Sequence, residues 1–143
     1  MKFRLLSATP EKTFIIVFDK GDEFTATLLE FAEEQNLRGS HFTGLGAFSD
    51  VTFGFFDRQR RDYERTELDE QVEVMSLIGN IASTDNGPKI HAHVVVGKRD
   101  GTAHGGHLLE AHVWPTLELI LIESSIELRR TTDNETGLPL IGL

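Results

Sequence analysis

GDEFTATLLEFAEEQNLRGSHFTGLGAF, residues 21–48, contains the change of period on which the fold turns. In its first half the apolar residues Phe24, Leu28 and Phe31 recur at helical spacing, and Ala32 widens the stripe. Asp22 is the expected N-cap, Glu23 favours the first turn electrostatically, and Gly39 after Arg38 is the expected stop. From Gly39 onward the pattern becomes that of strands. HFTGLGAF, VTFGFFDR, QVEVMSLIGNIA, KIHAHVVVG and TLELILIESSIELRR are rich in β-branched and aromatic residues. Turn signals separate them at Ser49-Asp50, Asp85-Asn86-Gly87-Pro88 and Arg99-Asp100-Gly101.

Upstream, residues 3–8 (FRLLSA) and 12–19 (KTFIIVFD) read as two strands around Thr9-Pro10, the second buried along its apolar run from Phe14 to Phe18. One amphipathic helix and about seven strands predict an α+β fold with a mostly antiparallel sheet. The length, 143 residues, suits a single domain over 1–143. The tail TTDNETGLPLIGL is turn-rich and ends apolar, and is expected to dock on its own core or on a neighbouring subunit.

Composition restricts the functional classes. No stretch is long and apolar enough to span a bilayer, and the first residues lack a small-residue cleavage site. Cysteine is absent, so disulfides and thiolate metal sites are excluded. A cytoplasmic location is the expectation. The net charge of −9 opposes a phosphate backbone, because phosphate contacts supply most non-specific nucleic-acid affinity.

Five of the six histidines fall within residues 89–113. If KIHAHVVVG is a strand, His91 and His93 share a face with Cα atoms about 6.5–7 Å apart, and Ala92, Val94 and Val96 face the core. The turn at Arg99-Asp100-Gly101 returns the chain, so that His107 in HGGHL lies beside them. Gly105 and Gly106 permit a close backbone approach. Three imidazoles with an open fourth position form the usual catalytic zinc arrangement. The competing reading of the same spacing is a solvated strand face. His104 reads as a turn residue, His112 as a rim residue, and His41 as structural or solvent-exposed.

Two further candidates carry charge. Glu118, on the apolar segment TLELILIES, suits either a hydrogen bond to a metal-bound imidazole or proton transfer from metal-bound water; its alternative is the solvent side of a half-buried strand. The strongest basic cluster, DRQRRDYERTE, offers Arg58, Arg60, Arg61 and Arg65 to nucleic acid or small anions. Asp57, Asp62, Glu64 and Glu67 balance them, which favours a loop laced with ion pairs. Gly44-Leu45-Gly46 lacks dinucleotide-fingerprint spacing, and no Walker loop, H-E-x-x-H or G-x-S-x-G is present. The strand H-x-H lacks the glutamate that follows it in cupins.

Taken in order, FTGLGAF (42–48), LIGNIA (77–82), IHAHVVVG (90–97), GGHLLEAHV (105–113), the segment with Glu118, and the tail resemble the plants-and-prokaryotes-conserved (PPC) domain along nearly the whole chain. The resemblance implies an α+β antiparallel fold, a homotrimer, and zinc or another divalent transition metal on His91, His93 and His107. Bacterial members carry a DNA-binding label. In plant members DNA contact resembles the work of an Arg-Gly-Arg-Pro AT-hook, and this sequence has no such core. Three functions follow as expectations: a DNA-associated protein, a metal-dependent enzyme or small-molecule binder, and a trimer that a metal merely stabilises.

Overall fold

The structure is a computed structural model that describes residues 1–7 and 11–142, with only the backbone for residues 3–7. The expected turn at Thr9-Pro10 lies outside the described residues. Strands β1 (Lys2–Ser7) and β2 (Lys12–Phe18) precede helix α1 (Phe24–Gln35). Then come β3 (Gly39–Asp57), β4 (Asp62–Leu68), β5 (Val72–Thr84), β6 (Gly87–Gly97), β7 (Ala103–Glu123), β8 (Arg129–Thr132) and β9 (Pro139–Gly142). The α+β, mostly antiparallel expectation holds, with nine strands among the described residues rather than about seven.

The helix stripe is the one the periodicity marks. Phe24, Leu28, Phe31 and Ala32 are fully buried. Phe31 meets Phe14 edge-on at 5.3 Å, and Phe24 lies 5.5 Å from Phe18 and 6.1 Å from Phe42. The helix ends differ from expectation. Glu23, not Asp22, is the N-cap, and its carboxylate accepts from the Thr25 and Ala26 amides at 3.1 and 2.6 Å. Asp22 instead accepts from the Asp19 amide and pairs with the N-terminal amine. At the other end Asn36 takes the left-handed conformation and caps the helix, because asparagine tolerates that region better than other non-glycine residues. Gly39 begins β3 instead.

HFTGLGAF and VTFGFFDR are one continuous strand, so no turn forms at Ser49-Asp50. Register shifts against β7 at Gly46/Phe48, Phe48/Asp50 and Thr52/Phe53 bend β3 without breaking it. The polar pair that looked like a turn serves the bend: Ser49 Oγ donates to Asp50 Oδ2 at 2.7 Å. The β7 side of the same irregularity accommodates Pro115, which falls in the gap between Gly46↔Leu117 and Phe48↔Val113.

The ladders close on themselves. β3 pairs with β5, β5 with β6, β6 with β7, and β7 returns to β3. This part of the sheet is barrel-like, its interior filled by Ala92, Val94, Val96, Phe42 and Leu121. The tail folds back as the β8–β9 hairpin on its own chain, joined to β5 through Ser83↔Arg129.

Candidate metal centre

Strand alternation sets the face of each histidine. Ala92, Val94 and Val96 on β6 are buried, which turns His91 and His93 outward together. The β6–β7 hairpin then pairs His93 directly with His107. A Cβ on Gly105 would stand 2.5 Å from the Val94 carbonyl oxygen, and one on Gly106 would stand 3.0 Å from that of Gly54. Larger residues would push β7 off its neighbours and move His107 away.

The three rings form a nearly equilateral cluster. Their centroids are 5.1, 5.0 and 5.3 Å apart, and one ligating nitrogen from each lies within 4.8 Å of the others. His91 Nε2 and His93 Nε2 are 3.2 Å apart. Two nitrogens bound tetrahedrally at about 2.0–2.1 Å would be separated by roughly 3.3 Å. The donor set therefore fits a transition metal. Among the described residues, His107 Nδ1 is buried without a hydrogen-bond partner.

The electrostatics favour the neutral imidazole, the form that binds metals, at His91 and His107. Burial, then the neighbouring His91 and His93, pushes the His107 pKa down to about 4. Burial, followed by the Arg130 charge, lowers that of His91. Arg130 Nη2 lies 3.3 Å from His91 Nδ1. A guanidinium only donates, so in the metal-free chain this contact makes Nδ1 the acceptor and leaves the ring proton on Nε2; a metal on Nε2 would move that proton to Nδ1 and end the contact with Arg130.

Sequence reasoning missed three neighbours. Tyr63 stacks on His107 at 4.7 Å and 19°, and its ring occupies space that a side chain at position 54 would take. Burial raises the Tyr63 pKa. Asn80 and Arg130 hold the far side, with Arg130 Nη2 donating to Asn80 Oδ1 at 2.6 Å. Tyr63 is the chain's one tyrosine, which was a usable signal. Arg130 had none, since it is adjacent in sequence to Arg129, which is exposed and pairs with Asp85.

The other candidates lie elsewhere. Glu118 is exposed on β7, registered with Val17 and Leu45. The row His93–Ile78–Thr43–Ile120 places the neighbouring β7 position three strands from His93, roughly 14 Å at strand spacing. Glu118 is therefore not brought to the histidines. Arg58, Arg60, Arg61 and Arg65 are exposed on the β3–β4 hairpin, where Arg60 pairs with Asp57 and Glu64, and Arg65 with Glu110. His104 lies within β7 opposite Val96 rather than in a turn. His41 is exposed, one strand beyond Asn80. His112 Nδ1 sits 2.7 Å from Asp50 Oδ1, a contact that raises its pKa.

The fold is shared with known proteins. A metal-containing protein from Archaeoglobus fulgidus matches with a TM-score of 0.85 and 31% identity over 99% of this chain and 97% of its own. A structure from Ralstonia eutropha JMP134, whose description assigns DNA binding only provisionally, matches with a TM-score of 0.87 and 30% identity over 96% of this chain and 94% of its own. The bifunctional protein GlmU of Synechococcus sp. (strain JA-3-3Ab) is 30% identical over 120 residues, or 82% of this chain. This chain spans only 18% of the length of that relative. Residues 6–125 match the model of one domain family, and the chain belongs to the Plants and Prokaryotes Conserved (PCC) domain family.

Proposed function

We propose that this chain is a metal-binding domain in which His91, His93 and His107 hold zinc or another divalent transition metal and leave a coordination position open to a small ligand. The observation that carries this reading is the 3.2 Å separation of two imidazole nitrogens beside a third, half-buried imidazole whose Nδ1 is buried and unpartnered. The Archaeoglobus relative, described as metal-containing, adds support. A metal so held supplies Lewis acidity and an acidified water. The chain's own part is to hold three imidazoles on adjacent strands, to favour the neutral form of His91 and His107, and to cover His107 with Tyr63.

The proposal includes a homotrimer. Leu45, Met75, Ile78, Val95 and Ile120 are 40–64% exposed on the outer face of β3, β5, β6 and β7. An apolar face of this kind marks association more often than a free surface. Glu118 lies among these residues, and the trimer reading makes it an interface residue.

Elemental analysis tests the reading. Tag-free wild type is expected to carry about one metal per chain and His93→Ala essentially none, while light scattering gives three chain masses for both. Wild type that takes up no zinc would return the histidines to ordinary surface residues. A trimer whose mass and melting temperature ignore chelation would exclude a purely structural metal.

The Ralstonia relative motivates a second reading, DNA association. The charge of −9 and the paired hairpin arginines oppose it. No mobility shift of duplex DNA is expected even at low salt, and a shift that weakens with added salt would establish this second reading.

A further inference from the structure

The histidine cluster borders a cavity of about 110 Å³ that opens toward the β8–β9 hairpin. Tyr63, Lys89, His91, His107 and Arg130 contribute to its wall. At about 30 Å³ per water molecule, it has room for roughly four waters or a ligand of a few heavy atoms.

Arg130 is the unusual residue of this wall. It is only 7% exposed. Its Nη1 donates to the Pro139 carbonyl at 2.7 Å and its Nη2 to Asn80 Oδ1 at 2.6 Å. Its Nε–H is buried without any partner. The acceptors it does have are neutral. Among the described residues, no carboxylate lies within ion-pair distance of Arg130, or of Lys89 on the same cavity. A buried guanidinium stays charged, and burying it without a counter-charge is costly. The chain has 23 acidic residues against 14 basic ones, yet places no acid here. Arg129, next in sequence, does receive an aspartate, Asp85. The missing counter-charge is therefore local to this cavity.

We propose that the cavity is a subsite for a small oxyanion, with Arg130 as its anchor and Lys89 as a second positive charge. This deepens the metal-centre reading, on which it rests, by naming the class of ligand that the open position would share. Arg130 meets the anion from the hairpin side while the histidines face it from β6 and β7. Asn80 and Pro139 are positioning groups that hold the guanidinium plane.

The test follows the Arg130 Nε–H directly by ¹H–¹⁵N NMR of the wild-type protein. Its signal is identified as the one missing from Arg130→Lys. Metal-free and zinc-loaded samples are each titrated with acetate and, separately, with inorganic phosphate, with chloride holding ionic strength constant. Zinc content is measured independently on the same samples. The expected result is a saturable shift of the Arg130 Nε–H, with calorimetric affinity falling about tenfold or more in Arg130→Lys and less in Lys89→Met. The acetate and phosphate arms show which oxyanion fits. If zinc binds but the Nε–H stays unmoved by either anion up to tens of millimolar, the subsite is overturned and the metal reading stands. If the anion binds through Arg130 while zinc is not taken up, the subsite stands and the metal reading fails. A saturable affinity unchanged in Arg130→Lys overturns the anchor.

Discussion

Phe42→Ala is expected to lower stability by about 3–5 kcal/mol, the range for truncating a buried aromatic ring, and to loosen the metal centre with it. Phe42 is fully buried in β3, inside the closed part of the sheet, and its ring meets Phe24 of the helix. It is flanked by Gly79, and a Cβ built on Gly79 would collide with the Phe42 ring and stand 2.7 Å from the His91 carbonyl oxygen. The ring therefore supports the backbone that carries His91. Urea unfolding at constant slope would report the loss as a lower midpoint. A loss below about 1 kcal/mol would show that the site collapses around the missing ring. In the variant that still folds, weaker zinc retention than wild type is expected.

Zinc at a hundred times its dissociation constant is expected to stabilise the fold by about 2.7 kcal/mol, as any ligand of the native state does, and His107→Ala should abolish the gain. Its pH dependence follows from the depressed imidazoles. His107 is held down to about 4, below the ordinary 6.5, so the unfolded chain takes up that proton first as the solution is acidified. The neutral form's contribution to metal-free stability is fully present above pH 6.5 and is lost as pH falls toward 4. His91, also lowered, acts in the same direction. His112 acts in the opposite direction: its raised pKa contributes stability below 6.5 that is lost as pH rises through its folded value. At His91 and His107, protons should therefore compete with a metal only at lower pH than at ordinary histidines. Thermal melts with and without zinc from pH 4 to 8 check this. A metal-free stability that shows no loss between pH 6.5 and 4 would show that His91 and His107 are not held neutral.

Much of this was legible in the sequence because it is periodic. The stripe Phe24, Leu28, Phe31 and the alternation around His91 and His93 depend only on residue spacing within one element. The hairpin that returns His107 follows from the Arg99-Asp100-Gly101 turn, with Gly101 in the left-handed region at φ 83°. The local errors share a cause. Ser49-Asp50 looks like a turn because its polar side chains suit one, but a bulged ladder to β7 satisfies the same groups. Glu23 displaced Asp22 as the cap because its longer carboxylate reaches two helix amides.

By itself the sequence determined the α+β class, the outward face shared by His91 and His93, and the return of His107 beside them. These depend on interactions between residues close along the chain, which a period or a turn records. Only the tertiary structure decided that β3 and β7 run unbroken and close the sheet, that Tyr63 from a charged hairpin covers His107, and that Arg130 from the tail is buried beside His91 with no acid paired to it among the described residues. Those outcomes depend on pairings between residues tens of positions apart. Burial and ladder geometry choose such pairings for the chain as a whole, and no local pattern encodes them.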